Sequence, residues 1–84
     1  MKKKVVIVED NVSLSMGFKE VINASEDFIV EDVYNNAEEA IKYFKDDAPD
    51  IVLMDIELPS MNGIEATKIY KTLNQNLLTL VITV

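Results

Sequence analysis

The chain has 84 residues, of which 49% are hydrophobic and 27% charged, the composition of an ordinary globular domain, and no apolar run approaches the ~20 residues a membrane-spanning helix needs. It contains neither cysteine nor histidine, which excludes disulfides, thiol nucleophiles, serine-histidine triads and the commonest zinc ligands. Fifteen acidic residues against eight basic ones give a net charge of -7, which repels a phosphate backbone, so this segment is not expected to bind nucleic acid directly.

The chain opens with the basic run Met1-Lys2-Lys3-Lys4, but the apolar stretch behind it is too short for a signal-peptide core and runs into Glu9-Asp10, so a cytoplasmic location is expected. Val5-Val6-Ile7-Val8 is an unbroken apolar run and reads as a buried parallel strand ending in carboxylates. Leu14, Phe18, Val21 and Ile22 then fall on one stripe of an amphipathic helix that ends near Ala24, with Asn11 or Ser13 as its N-cap. Gly17 lies inside that helix, and close packing against the sheet is the expected reason for it.

Phe28 to Tyr34 is rich in β-branched and aromatic residues but interrupted by Glu31-Asp32, the pattern of a half-exposed edge strand. Asn36-Ala37-Glu38-Glu39 starts a second helix whose buried stripe is Ala37, Ala40 or Ile41, Phe44 and Ala48, with Pro49 as its stop. Ile51-Val52-Leu53-Met54 repeats the unbroken apolar pattern of a strand buried on both faces, and Asp55 stands at its carboxyl end. A loop follows, then the capping sequence Asn62-Gly63-Ile64-Glu65 and a third helix with Ala66, Ile69, Tyr70 and Leu73 on its apolar face. Leu77 to Val84 reads as one more buried strand. The order β-α-β-α-β-α-β implies right-handed crossovers and one parallel sheet with helices on its faces, a single domain over residues 1–84 with no repeat or linker.

In such sheets the crevice beyond the carboxyl ends of the strands is where ligands bind, and Glu9, Asp10 and Asp55 all fall there. Three carboxylates in one pocket repel, so either a proton is taken up or a hard divalent cation binds, and an all-oxygen site suits Mg²⁺. Taken singly, Glu9 and Asp10 also fit plain solvated loop acids or helix caps.

Glu9-Asp10 after the first strand, Asp55 after the third, Leu58-Pro59-Ser60-Met61-Asn62-Gly63 beyond it and Thr83 at the end of the fourth together resemble a response-regulator receiver domain of two-component signalling. The resemblance covers the whole chain. It implies a flavodoxin-like α/β sheet of strand order 2-1-3-4, cut short after the fourth strand. It implies further that Asp55 accepts a phosphoryl group from a sensor histidine kinase, that Asp10 binds Mg²⁺ directly and Glu9 through water, and that the Glu57 carbonyl is another metal ligand. Thr83 becomes the switch hydroxyl that moves toward the phosphoryl group. The run from Met61 to Thr67 is similar to receivers joined to DNA-binding helix-turn-helix outputs, which points to transcription regulation by an output domain outside this chain.

The family's fourth helix, fifth strand, fifth helix, phosphate-contacting lysine and switch aromatic have no counterpart in these residues, so slow or unstable phosphorylation is expected. Two rival readings stand beside the signalling one. Asp55-Ile56-Glu57 faintly resembles the acid pair of magnesium-dependent aspartyl phosphohydrolases, and a shortened receiver fits a dimerisation or binding module that no longer accepts phosphate. The apolar strand at 77–84 is the kind of edge natural monomers avoid, so a homodimer or higher self-association through it is expected.

Overall fold

The structure, a computed structural model, describes residues 1–44, 49–55, 63–73 and 78–82. The elements run β1 (Lys3–Val8), α1 (Val12–Asn23), β2 (Phe28–Tyr34), α2 (Ala37–Phe44), β3 (Ile51–Asp55), α3 (Gly63–Leu73) and β4 (Leu78–Ile82). All strand pairs are parallel, as the alternating pattern implies, and the sheet order is β2-β1-β3-β4, the flavodoxin-like order that the resemblance implies. β2 is an edge strand, as its interrupted hydrophobicity indicates.

Side chains alternate between the two faces of a strand, and the register makes each face continuous. Val6 and Val8 lie beside Val52 and Met54 on one face, where Ala37, Ala40 and Phe44 of α2 and Ala66 and Tyr70 of α3 close over them into a fully buried core. The alanines let the helices approach closely. Tyr70 then fills the space they leave, its ring meeting Phe44 edge-on at 4.8 Å between centroids and 74° between planes, a geometry the aromatic quadrupole favours. Its hydroxyl donates to the Ala37 carbonyl at 3.1 Å, which satisfies a polar group that burial would otherwise penalise. Burial, and after it the nearby Glu38 carboxylate, push the Tyr70 phenol above its ordinary value of 10.0, so it stays a donor. α2 begins as its sequence indicates, with the Asn36 Oδ1 accepting from the Glu39 N–H at 2.8 Å.

The opposite face is less closed. Val5 and Ile7 stand beside Ile51 and Leu53, and these beside Leu78 and Leu80, but α1 is the only helix over this side among the described residues and leaves it partly bare. Three expectations change for that single reason. β3 is sealed only at Val52 and Met54, while Ile51 and Leu53 are half-buried. In β4, Leu78 and Leu80 are 50% and 47% exposed, which departs from the buried strand read there and agrees with the bare apolar edge also expected. In α1 the expected stripe is only half-covered at Leu14, Phe18 and Ile22, Val21 is 73% exposed, and Ser15 is the one buried side chain.

Gly17 is a fourth correction, because a Cβ placed there meets nothing within 4 Å and the residue faces open space rather than the sheet. Its φ is not positive, so no backbone demand accounts for a glycine. Ala48, Asn62 and the ends of the 77–84 run lie outside the described residues. Since glycine inside a helix costs about 1 kcal/mol relative to alanine, Gly17→Ala is expected to stabilise the fold by about that amount. Urea denaturation measures it, and a lower midpoint in the variant would contradict the open environment.

Candidate functional site

The carboxyl ends of β1 and β3 are brought level by their register, Val8 opposite Met54. The next residue on each chain is therefore an acid: Glu9 past the end of β1, and Asp55 as the last residue of β3. With Asp10 they form a cluster in which one carboxylate oxygen of each lies within 4.8 Å of the others, Glu9 buried, Asp55 half-buried and Asp10 exposed. Asp55 also continues the β3 ladder, opposite Ile82 of β4.

Glu9 is held at both its backbone and its carboxylate. Its backbone N–H donates to the Tyr34 carbonyl at 2.9 Å, anchoring it to the end of β2, and its Oε2 accepts the Asn11 N–H at 3.1 Å. Asn11 in turn caps α1, its Oδ1 accepting from the Leu14 N–H at 3.0 Å. Of the two capping residues the sequence offers, Asn11 is therefore the one used. The sequence indicates the cap but not the bond to Glu9. The available signal was its place, immediately after the acid pair and three residues before Leu14.

Burial raises the Glu9 carboxyl above its ordinary value of 4.5; the Asn11 N–H works against that shift, while hydrogen bonding to Asp10 and the charge and hydrogen bonding of Asp55 add to it. A buried acid pressed by two others favours a bound proton or a cation beside it. The ion pair between Lys4 and Glu31, 3.7 Å apart, lies toward the opposite end of β1. Glu57 and Thr83, the other two residues expected to act here, lie outside the described residues.

Fold and cluster together define a class. Residues 5–84 match the family model of the response regulator receiver domain, and the chain belongs to that family. Among its relatives is the chemotaxis protein CheY of Thermotoga maritima, 41% identical over 68 residues that cover 81% of this chain and 56% of that protein. The chain thus spans little more than half the length of this relative and a smaller share of several others. Among solved structures, a LuxR-family two-component response regulator from Aurantimonas sp. SI85-9A1 superposes with a TM-score of 0.91 at 28% identity, covering 99% of this chain and 59% of that one. The response regulator domain of Thermotoga maritima CheB gives a TM-score of 0.89 at 28% identity, covering 99% and 61%.

The raised Glu9 carboxyl carries a signed pH dependence. The folded chain holds the Glu9 proton more tightly than the unfolded chain, so this contribution to stability is complete below 4.5 and is lost as pH rises through the folded value. Glu9→Gln keeps an oxygen acceptor for the Asn11 N–H and removes the charge. In a chelating buffer the variant is expected to show a flatter stability profile from 4.5 upward and to be the more stable protein at neutral pH. Thermal melts across that range check this, and superimposable profiles would exclude it.

Proposed function

We propose that this chain is the phosphoacceptor receiver domain of a two-component response regulator, with Asp55 as the residue modified. The observation that carries the reading is the convergence of Glu9, Asp10 and Asp55 within 4.8 Å at the carboxyl edge of a sheet, in a chain of the receiver family. The donor set fits Mg²⁺: it is all carboxylate oxygen, hard and anionic, and its buried member is held at a site that disfavours its own charge. Asp10 would hold the ion directly and Glu9 through water, with the Glu57 carbonyl as a further ligand. When bound, Mg²⁺ neutralises charge on the phosphoryl oxygens.

The chemistry asked of the protein itself is modest. One Asp55 oxygen forms a bond to phosphorus as the phosphorus–nitrogen bond of a kinase phosphohistidine breaks, the electron pair staying on the imidazole nitrogen. Positioning and charge neutralisation suffice for such a transfer, and no histidine is required on this side. The acyl phosphate adds acceptor oxygens at the strand ends, toward which the Thr83 hydroxyl moves as the switch. The domain thus signals by its own modification instead of turning over a metabolite. Its partners are a sensor histidine kinase and an output domain, a DNA-binding one on the resemblance of residues 61–67, and it works in the cytoplasm. No helix among the described residues is long and apolar enough to cross a membrane.

Incubation with acetyl phosphate and Mg²⁺, followed by intact-mass measurement, tests the reading. One phosphoryl group is expected on the wild type and none on Asp55→Asn, with labelling of Asp10→Ala slower by on the order of 100-fold. Undiminished labelling of Asp55→Asn would overturn the assignment.

The open face of the sheet favours a second reading, an association module. A cavity of about 420 Å³ there is lined by apolar side chains, among them Phe18, Val21, Leu53 and Leu80. β4 pairs only with β3 among the described residues, so a second copy fits by laying its own β4 alongside across a two-fold axis. Sedimentation of the 84-residue chain is expected to show a concentration-dependent dimer that Leu80→Lys dissociates. A wild-type monomer at all concentrations, or a dimer indifferent to the lysine, would remove this reading.

A further inference from the structure

We infer that Asn11 is a positioning residue for the acidic site, its side chain locking the start of α1 so that the peptide N–H of the same residue holds the Glu9 carboxylate in place. This rests on the reading of Glu9, Asp10 and Asp55 as a Mg²⁺ site. Asn11 makes three bonds that run in two directions. Toward the helix, its Oδ1 accepts from the Leu14 N–H at 3.0 Å and its carbonyl accepts from the Ser15 N–H at 3.0 Å. Toward the site, its own N–H donates to the Glu9 Oε2 at 3.1 Å.

The last bond depends on the first two. The Asn11 N–H points back at Glu9 while the residue keeps its extended conformation, φ -81° and ψ 113°, and the bond from Oδ1 to the Leu14 N–H is what holds a cap residue there. Glu9 is pinned at its base by the Tyr34 carbonyl, but its carboxylate stands two torsions beyond the Cβ. The Asn11 N–H is the fixed donor that sets its direction. Ser15, buried on the next turn with its hydroxyl bonded to the Val12 carbonyl at 3.0 Å, keeps the helix start against the sheet. Carboxylates around a metal site are commonly held by such outer hydrogen bonds. The Asn11 side-chain bond runs to the helix and not to the three acids; the residue acts on the site through its backbone N–H.

Three substitutions separate this role from a merely stabilising one. Asn11→Ala loses the side-chain acceptor and the cap. Asn11→Gly also loses the acceptor but costs a helix start little. Asn11→Ser keeps an oxygen at the cap. Mg²⁺ titration followed by amide chemical shifts, under conditions where each variant is folded, is expected to give an affinity about 10-fold weaker for both Ala and Gly and within about 2-fold of wild type for Ser. Wild-type affinity in Asn11→Gly would overturn the inference even if Asn11→Ala does not fold, and so would an Asn11→Ser variant as weak as Asn11→Gly. Asp10→Ala serves as the control for the site. If wild type and Asp10→Ala respond to Mg²⁺ alike, the metal reading itself falls and the positioning role with it, whereas a wild-type response abolished by Asp10→Ala and untouched by Asn11→Gly removes Asn11 alone.

Discussion

Three carboxylates held within 4.8 Å of one another repel, and two unit charges about 4 Å apart cost on the order of 4 kcal/mol at an effective dielectric of 20. A small fold with a net charge of -7 keeps them together only if something stiffer than the charges fixes their positions. That element is the pairing of β1 with β3, which sets Val8 opposite Met54 and so makes the residues after each strand neighbours. A shift of one residue would turn Val8 and Met54 out of the core, so the apolar packing resists the movement that would relieve the repulsion.

The packing that resists it is concentrated on one side. Over Val6, Val8, Val52 and Met54 the small residues of α2 and α3 allow close approach, and Tyr70 is buried with both its ring and its hydroxyl matched. The other side carries α1 alone among the described residues, and an apolar cavity stays open between that helix and β4. The site is therefore backed by a rigid layer at Val8 and Met54 and bordered by a looser one at α1. Local opening is expected first where fewest apolar contacts would be broken, which is the α1 side. The bonds at the start of α1, from Asn11 to Glu9 and from Leu14 to Asn11, thus tie the less secure layer to the cluster.

At the opposite edge of the sheet the strand starts are stitched by backbone and short side-chain bonds. Asp50 accepts the Lys4 N–H through its carboxylate at 2.8 Å, donates its own N–H to the Lys4 carbonyl at 3.0 Å and accepts from Leu78 at 3.2 Å. There a single acid takes up backbone donors, whereas at the far edge three acids crowd within 4.8 Å of one another, Glu9 taking the Asn11 N–H as well. Fold alone says little about activity, so the functional reading proposed for this chain leans on the family and the cluster taken together.

Much of this was legible in the sequence because it depends on short-range pattern. Val5 to Val8 and Ile51 to Met54, each ending in acid, marked the central strands and the edge where Glu9, Asp10 and Asp55 meet, and Asn11 and Asn36 marked helix starts. What lay beyond the pattern was sidedness. An unbroken apolar run does not reveal that Ile51 and Leu53 face a half-open cavity while Val52 and Met54 face a sealed core, nor that Val21 stays largely exposed at that cavity and Gly17 faces open space. Nor does a cap residue announce that its N–H will meet the side chain two positions back. Alternation and capping are properties of neighbouring residues, fixed by bond geometry and readable in the chain. Burial and the direction of a carboxylate depend on which distant segments arrive to cover them, and that only the tertiary structure decided.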